Sequence, residues 1–172
     1  MPDSEAAETI TLWRAYVPRW AYEPLSGEGA ARFGGRWNPI GQPTIYAARE
    51  LSTAWAEYNQ ALVQHPALIV QLLLTGAVLA DLTIPATVAR FNVSSEILRC
   101  EWRYLLDLGQ RLPTYELRER LLSGGFDGIV YPSVMSPGGA CVALWRWNGT
   151  GEPRLEVVDP EGRLPRTPAS WL

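Results

Sequence analysis

The sequence predicts a single α+β domain, with strands near both ends of the chain and helices between them. Three observations lead there. A chain of 172 residues with 47% apolar content suits one buried core and gives no sign of a second domain. Short apolar runs of strand character fall at 11–17, 67–74 and 140–147. Between them, segments at 52–64, 95–108 and 115–122 carry apolar residues at helical spacing.

Taken in order, residues 1–9 are polar and small and read as a disordered lead-in to a domain over 10–172. Thr11–Val17 reads as a strand, with Leu12, Arg14 and Tyr16 on one face. An arginine among apolar neighbours is either paired with a carboxylate or held in a cleft to bind an anion. The glycine- and proline-rich run from Pro18 to Pro43 is loop-like, and ordered loops of that length usually bind something. Thr44–Ala48 is a short strand. Ser52 then caps a helix that His65-Pro66 ends near Gln64, with Trp55, Tyr58 and Leu62 toward the core. On that helix Glu57 has no lysine or arginine at helical spacing, so the pattern alone gives a surface glutamate without a partner. Ala67–Leu74 suits a strand covered on both faces, and Ala77–Leu82 a further strand ending before Pro85. Ser95–Leu108 reads as one helix packed on the sheet, and Thr114 as the cap of another closed by Gly124-Gly125. Gly128–Pro132 and Ala140–Trp147 are strands, and Asn148-Gly149 signals a hairpin into Arg154–Val158.

Composition removes several chemistries. All fifteen Lys and Arg positions are arginine and His65 stands alone, so a Schiff base and a phosphate-loop lysine are excluded. One histidine beside a proline also gives little scope for a Ser-His-Asp triad or a His-rich metal site, and His65 reads as a helix-end residue. Cys100 and Cys141 lack metal or disulfide spacing and read as reduced, buried side chains. The net charge is −3 and the arginines are dispersed, which argues against direct nucleic-acid binding. No apolar run reaches the length of a membrane span, and the N-terminus lacks a signal peptide's regions, so a cytoplasmic protein is expected. Any activity must rest on carboxylates, arginines, hydroxyls and aromatic rings.

The densest concentration of those groups is 26–58. Gly27-Glu-Gly29-Ala-Ala-Arg32 lacks the third glycine of a dinucleotide fingerprint, and Phe33-Gly34-Gly35 opposes the helix that should follow. The glycines instead suit tight turns and close approach to a ligand, with Arg32 and Arg36 offering guanidinium donors to phosphate and Trp37 a face for a flat ring. The alternative is a glycine-rich loop whose arginines pair with surface carboxylates. Arg14, the run Gly-Gly-Arg36-Trp-Asn38-Pro, Tyr46, Glu57 and Tyr131-Pro-Ser133 together resemble the RES-domain family, the toxins of RES–Xre toxin–antitoxin pairs.

That resemblance covers roughly residues 12–160. It implies a split, mixed β-sheet core similar to ADP-ribosyltransferases, with helices around it, and an activity that degrades NAD⁺ as substrate, with no separate cofactor and no metal. It further implies that Glu57, Arg36 and Tyr46 are catalytic, and that Arg14, Arg32, Trp37, Asn38 and Ser133 bind substrate, Thr114 adding a hydroxyl. Arg14 and Arg36 would hold the diphosphate, and an Xre-like antitoxin would be the protein partner; Trp13, Trp20 and Trp171 are either exposed anchors for it or explained by core packing and a disordered tail. The segment Ser136–Cys141 departs from many relatives in carrying no asparagine before the last core strand. The chemistry suits the residues: nicotinamide is a cationic leaving group, so one carboxylate can suffice where ordinary glycoside hydrolysis uses two. Two alternatives share the cleft: a protein ADP-ribosyltransferase, and a non-catalytic module that binds a nucleotide or partner.

Overall fold

The computed structural model describes residues 7–60 and 63–171. Seven strands build one sheet: β1 (Thr9–Tyr16), β2 (Ile45–Ala48), β3 (Leu68–Thr75), β4 (Leu79–Asp81), β5 (Gly128–Pro132), β6 (Ala140–Leu144) and β7 (Arg154–Val157). Their order is β4-β5-β6-β2-β1-β3-β7, antiparallel throughout except for the parallel β4–β5 pair. The helices are α1 (Glu28–Phe33), α2 (Leu51–Asn59), α3 (Pro85–Arg90), α4 (Ser95–Leu98), α5 (Trp102–Asp107) and α6 (Pro113–Ser123). The α+β class and the mixed sheet expected from sequence are both present.

Period-two alternation explains why the sheet is buried on both faces at its centre. Along β6, Ala140, Val142 and Leu144 enter one apolar cluster with Leu12, Ile45, Leu72 and Val130. The intervening Cys141 and Ala143 enter the other, with Trp37, Leu117, Leu121 and Ile129. Strand β3 is covered less evenly than its apolar run suggests, since only Val70, Leu72 and Leu74 are fully buried.

The strand joints are unequal, and that inequality makes the cleft. β1 pairs with β3 through all eight of its residues, from Thr9 with Thr75 to Tyr16 with Leu68. It meets β2 at a single pair, Trp13 with Ala48. Beyond that pair the two strands diverge, which is the form the expected split takes.

Several sequence expectations change. β1 begins at Thr9, inside the expected lead-in, of which residues 1–6 lie outside the described residues. The run taken as loop contains α1 and a 3-10 turn at Pro18–Trp20, so Phe33-Gly34-Gly35 ends a short helix without preventing one. Helix α2 starts at Leu51 after an extended Glu50, not at a Ser52 cap, and stops at Gln60 in the left-handed region. Leu62 lies outside the described residues, Trp55 and Tyr58 are half-buried, and the fully buried side chains of α2 are Thr53, Ala54 and Asn59. His65 is exposed and lies six residues past Asn59, the last residue of α2, so it does not end that helix as expected. Asn148-Gly149 turns the chain, but β6 and β7 do not pair; β7 crosses to the far edge beside β3. Thr114 is not the cap of α6, which starts with Pro113 at its first position.

The expected helix over 95–108 is broken into α4 and α5. The Leu98 carbonyl, which an unbroken helix would give to the Trp102 N–H, accepts instead from Arg36 Nη2, and Trp102 N bonds the Cys100 carbonyl at 2.8 Å.

Gly128 sits where strand packing leaves no room: a Cβ there would lie 2.5 Å from the Ala143 carbonyl oxygen and 3.1 Å from Leu144 Cα. Gly128→Ala is expected to destabilise the domain by about 1–3 kcal/mol, lowering the melting midpoint by several degrees. A thermal melt superimposable on the wild type would contradict the β5–β6 packing.

Candidate active site

The turn after α1 is built on one tyrosine hydroxyl. Gly34, at φ 73°, takes the left-handed region to leave the helix, and Gly35 and Asn38 close a small antiparallel bridge. The Tyr46 hydroxyl donates to Asn38 Oδ1 at 2.7 Å and accepts from the Trp37 N–H at 2.9 Å. A Cβ on Gly35 would lie 2.7 Å from both Tyr46 Oη and Asn38 Oδ1, so glycine is needed there for close approach to Tyr46. Asn38 Nδ2 donates to the carbonyls of Ala30, Pro39 and Gln42. From α6, Tyr115 Oη donates to the Gly35 carbonyl at 3.0 Å and Thr114 Oγ1 to that of Arg36. Burial holds the Tyr46 pKa above its usual value, so the residue presents a neutral ring with its hydroxyl already engaged.

This turn carries Arg36, only 7% exposed, whose guanidinium lies 5.3 Å from the ring centroids of both Trp37 and Tyr131. Its Nε is buried with no partner. Arg14 reaches from β1 to donate to the Pro24 carbonyl at 2.7 Å and the Ser26 carbonyl at 2.8 Å. Neither arginine makes an ion pair among the described residues; the five pairs there use Arg49, Arg111, Arg146, Arg154 and Arg163. The paired alternative for Arg14 is thus not what the fold builds. Burial lowers its pKa to about 10, partly opposed by Tyr16. Because the folded value lies below the unfolded one, the cost of holding the cation is present in full at neutral pH and is relieved only as pH rises through about 10. A bound anion would relieve it at neutral pH.

Glu57 is not a surface side chain. It is half-buried on α2, and Oε1 accepts from Ser133 Oγ at 2.6 Å, the Met135 N–H at 3.4 Å and Cys141 Sγ at 3.6 Å. Ser133 Oγ in turn accepts from the Ser136 N–H at 2.9 Å. Three donors on one oxygen fix the orientation of the carboxylate. Burial and then the Glu57 charge push the Cys141 thiol up to about 12, so it remains a thiol donor at neutral pH.

Arg14, Arg36, Tyr46 and Glu57 all line one cleft of about 780 Å³ at the β1–β2 divergence. The other expected contacts fall elsewhere. Arg32 is exposed on α1 away from the cleft lining. Trp37, fully buried, backs Arg36 from below, so no ligand reaches its face. Asn38, also fully buried, holds the turn and Tyr46. Ser133 orients Glu57, and Thr114 holds the Arg36 backbone. Trp13 is half-buried on the cleft wall, Trp20 is 43% exposed, and the Trp171 side chain lies outside the described residues. Sequence reasoning missed the Arg99–Tyr104 wall and both cysteines, all of which line the cleft; Cys100 is only half-buried. Among the described residues no cluster of His, Cys, Asp and Glu is placed to hold a metal ion, and no helix is long and apolar enough to cross a membrane.

Fold and site together define an α+β protein with a ligand-sized cleft where its sheet diverges. The chain belongs to the RES-domain family: the family model described as "RES domain" matches residues 11–167. A chain in the crystal structure of the M. tuberculosis MbcT–MbcA toxin–antitoxin complex shares the fold, with a TM-score of 0.65 and 21% identity over 96% of this chain and 88% of that one. A search of curated proteins returns no match.

Two outcomes are expected. Pyrophosphate raises the melting midpoint by several degrees at saturation, and Arg36→Gln removes most of that shift. In the folded protein Cys141, buried and held as a thiol, resists iodoacetamide at mildly alkaline pH, whereas unfolding exposes it; peptide mass spectrometry reads both states.

Proposed function

We propose that this protein is the toxin of a type II toxin–antitoxin pair, acting in the cytoplasm to arrest growth by cleaving the nicotinamide–ribose bond of NAD⁺. The observation that carries this reading is the convergence of two guanidinium groups without carboxylate partners, a neutral tyrosine ring and an oriented carboxylate on one cleft. Arg14 and Arg36 would bind the diphosphate, and remote binding energy would then position the reacting sugar. The ring of Tyr46 would border the nicotinamide.

The C1′–N bond breaks with its electron pair passing to the ring nitrogen, so nicotinamide leaves neutral and needs no general acid. Glu57 would stabilise the oxocarbenium-like ribose with the carboxylate oxygen not used by Ser133, Met135 and Cys141, and would orient the incoming nucleophile. Water then yields ADP-ribose with loss of a proton; inorganic phosphate yields the phosphorylated sugar.

Family membership and the likeness to a chain of the MbcT–MbcA toxin–antitoxin complex support an antitoxin partner, an Xre-like one. Phe33 (69% exposed) and Ile40 (65% exposed) flank Gly34 at the cleft and would give such a partner apolar surface.

Purified protein incubated with NAD⁺ is expected to release nicotinamide, and Glu57→Gln to slow release by about a hundredfold or more while relieving growth arrest. Chromatography in water and in phosphate buffer separates hydrolysis from phosphorolysis. Absence of nicotinamide under both conditions would overturn the cleavage reading, and labelled protein bands in a lysate would redirect it to ADP-ribosylation.

A further inference from the structure

The cleft does not end at Glu57. Its outer wall is the break between α4 and α5 together with the first turn of α5, where Arg99, Glu101, Trp102, Arg103 and Tyr104 line the same space. Two bonds tie this wall to the centre of the site. Arg36 Nη2 donates to the Leu98 carbonyl at one end, and Arg103 Nη1 donates to the side chain of Gln60, three residues beyond Glu57, at the other.

Two features of the wall are unusual for a purely structural segment. Tyr104 lines the cleft yet is 61% exposed, so its side chain is largely open to solvent. Arg99, Glu101 and Arg103 make no ion pair among the described residues, although opposite charges stand two positions apart; Arg103 lies instead over the Trp102 ring at 4.6 Å. An exposed aromatic side chain, flanking guanidinium groups and a carboxylate offer three chemistries side by side. Bases stack on aromatic rings whatever their identity, guanidinium groups hold phosphate, and a carboxylate accepts from a ribose diol. A cleft of about 780 Å³ falls in the upper part of the range for small-molecule sites, large enough to need this wall as well as the centre.

We propose that the Arg99–Tyr104 wall is a nucleoside-monophosphate subsite, with the base on Tyr104, the ribose hydroxyls on Glu101, and Arg99 and Arg103 joining Arg14 and Arg36 around the diphosphate. It rests on the dinucleotide reading above and deepens it: the wall takes the half of the substrate that is not cleaved. The break between α4 and α5 is what makes this possible. A continuous helix would present successive side chains around its whole circumference, whereas the break and the first turn of α5 together line one space with six successive residues.

Calorimetric titration of the full chain with AMP, with adenosine and with nicotinamide mononucleotide tests it without requiring turnover. AMP is expected to bind. Tyr104→Ala should weaken AMP about tenfold or more while Tyr104→Phe, which keeps the ring, should not. Arg99→Gln should weaken AMP more than adenosine. Tyr104 and Arg99 are both exposed, so neither change removes core packing. Undetectable AMP binding would overturn the subsite, and so would AMP affinity unchanged by Tyr104→Ala or reduced in parallel with that for nicotinamide mononucleotide. Nicotinamide release from NAD⁺, followed on the same preparation, judges the cleavage reading separately: AMP binding without release would retain the subsite and reject the cleavage.

Discussion

The site depends on a single hydroxyl. Tyr46 stands on β2, a strand fixed in the sheet by four residue pairs with β6, and its Oη holds both the Trp37 amide and the Asn38 side chain. The turn that carries Arg36 is thereby fastened to the sheet, not left as a surface loop. Asn38 passes the constraint outward to three carbonyls, and α6 closes it from the other side through Tyr115 and Thr114. Without that anchorage the Arg36 side chain would escape to water, since among the described residues no carboxylate pairs with it.

The same logic orders the opposite wall. Glu57 sits on a helix that the 133–140 loop grips: Thr53 Oγ1 and the Ala140 N–H both donate to Glu50, and Ser133 and Met135 donate to Glu57 itself. Positive side chains are held by aromatic rings and carbonyls on one side, and a negative one by neutral donors on the other. Among the described residues no ion pair joins these arginines to Glu57, which leaves both charge types available on the cleft.

Much of this was legible in the residues, though unevenly. Strands with clear alternation or apolar runs were found best, because burial on both faces leaves a strong pattern: Gly128–Pro132 matches to the residue, and the strand expected over Ala140–Trp147 starts where expected but ends at Leu144. The four residues that converge were found from their motif, since helical spacing alone assigns Glu57 to the surface. Its partners come from a loop some eighty positions away, beyond the reach of any local pattern. Asn38 and Trp37 were misassigned as contacts for a related reason: residues that support a site accompany it in a motif as faithfully as residues that touch its contents. The break at Arg99–Glu101 was hidden because the group that takes the freed Leu98 carbonyl is Arg36, sixty-two positions away. Asn148-Gly149 gave a true turn but a false pairing, as turn chemistry specifies a reversal and not which edge the next strand joins.

The lone residue pair between β1 and β2 has a mechanical meaning. Eight pairs on one side and four or five on the other make each half of the sheet stiff, while Trp13 and Ala48 form a pivot between them. Arg14 belongs to one plate and Tyr46 to the other, so any flexing at the pivot changes the width of the jaws directly. Main-chain pairing is thinnest beside the cleft and continuous on either side of it, so a change in the gap need not disturb the rest of the framework.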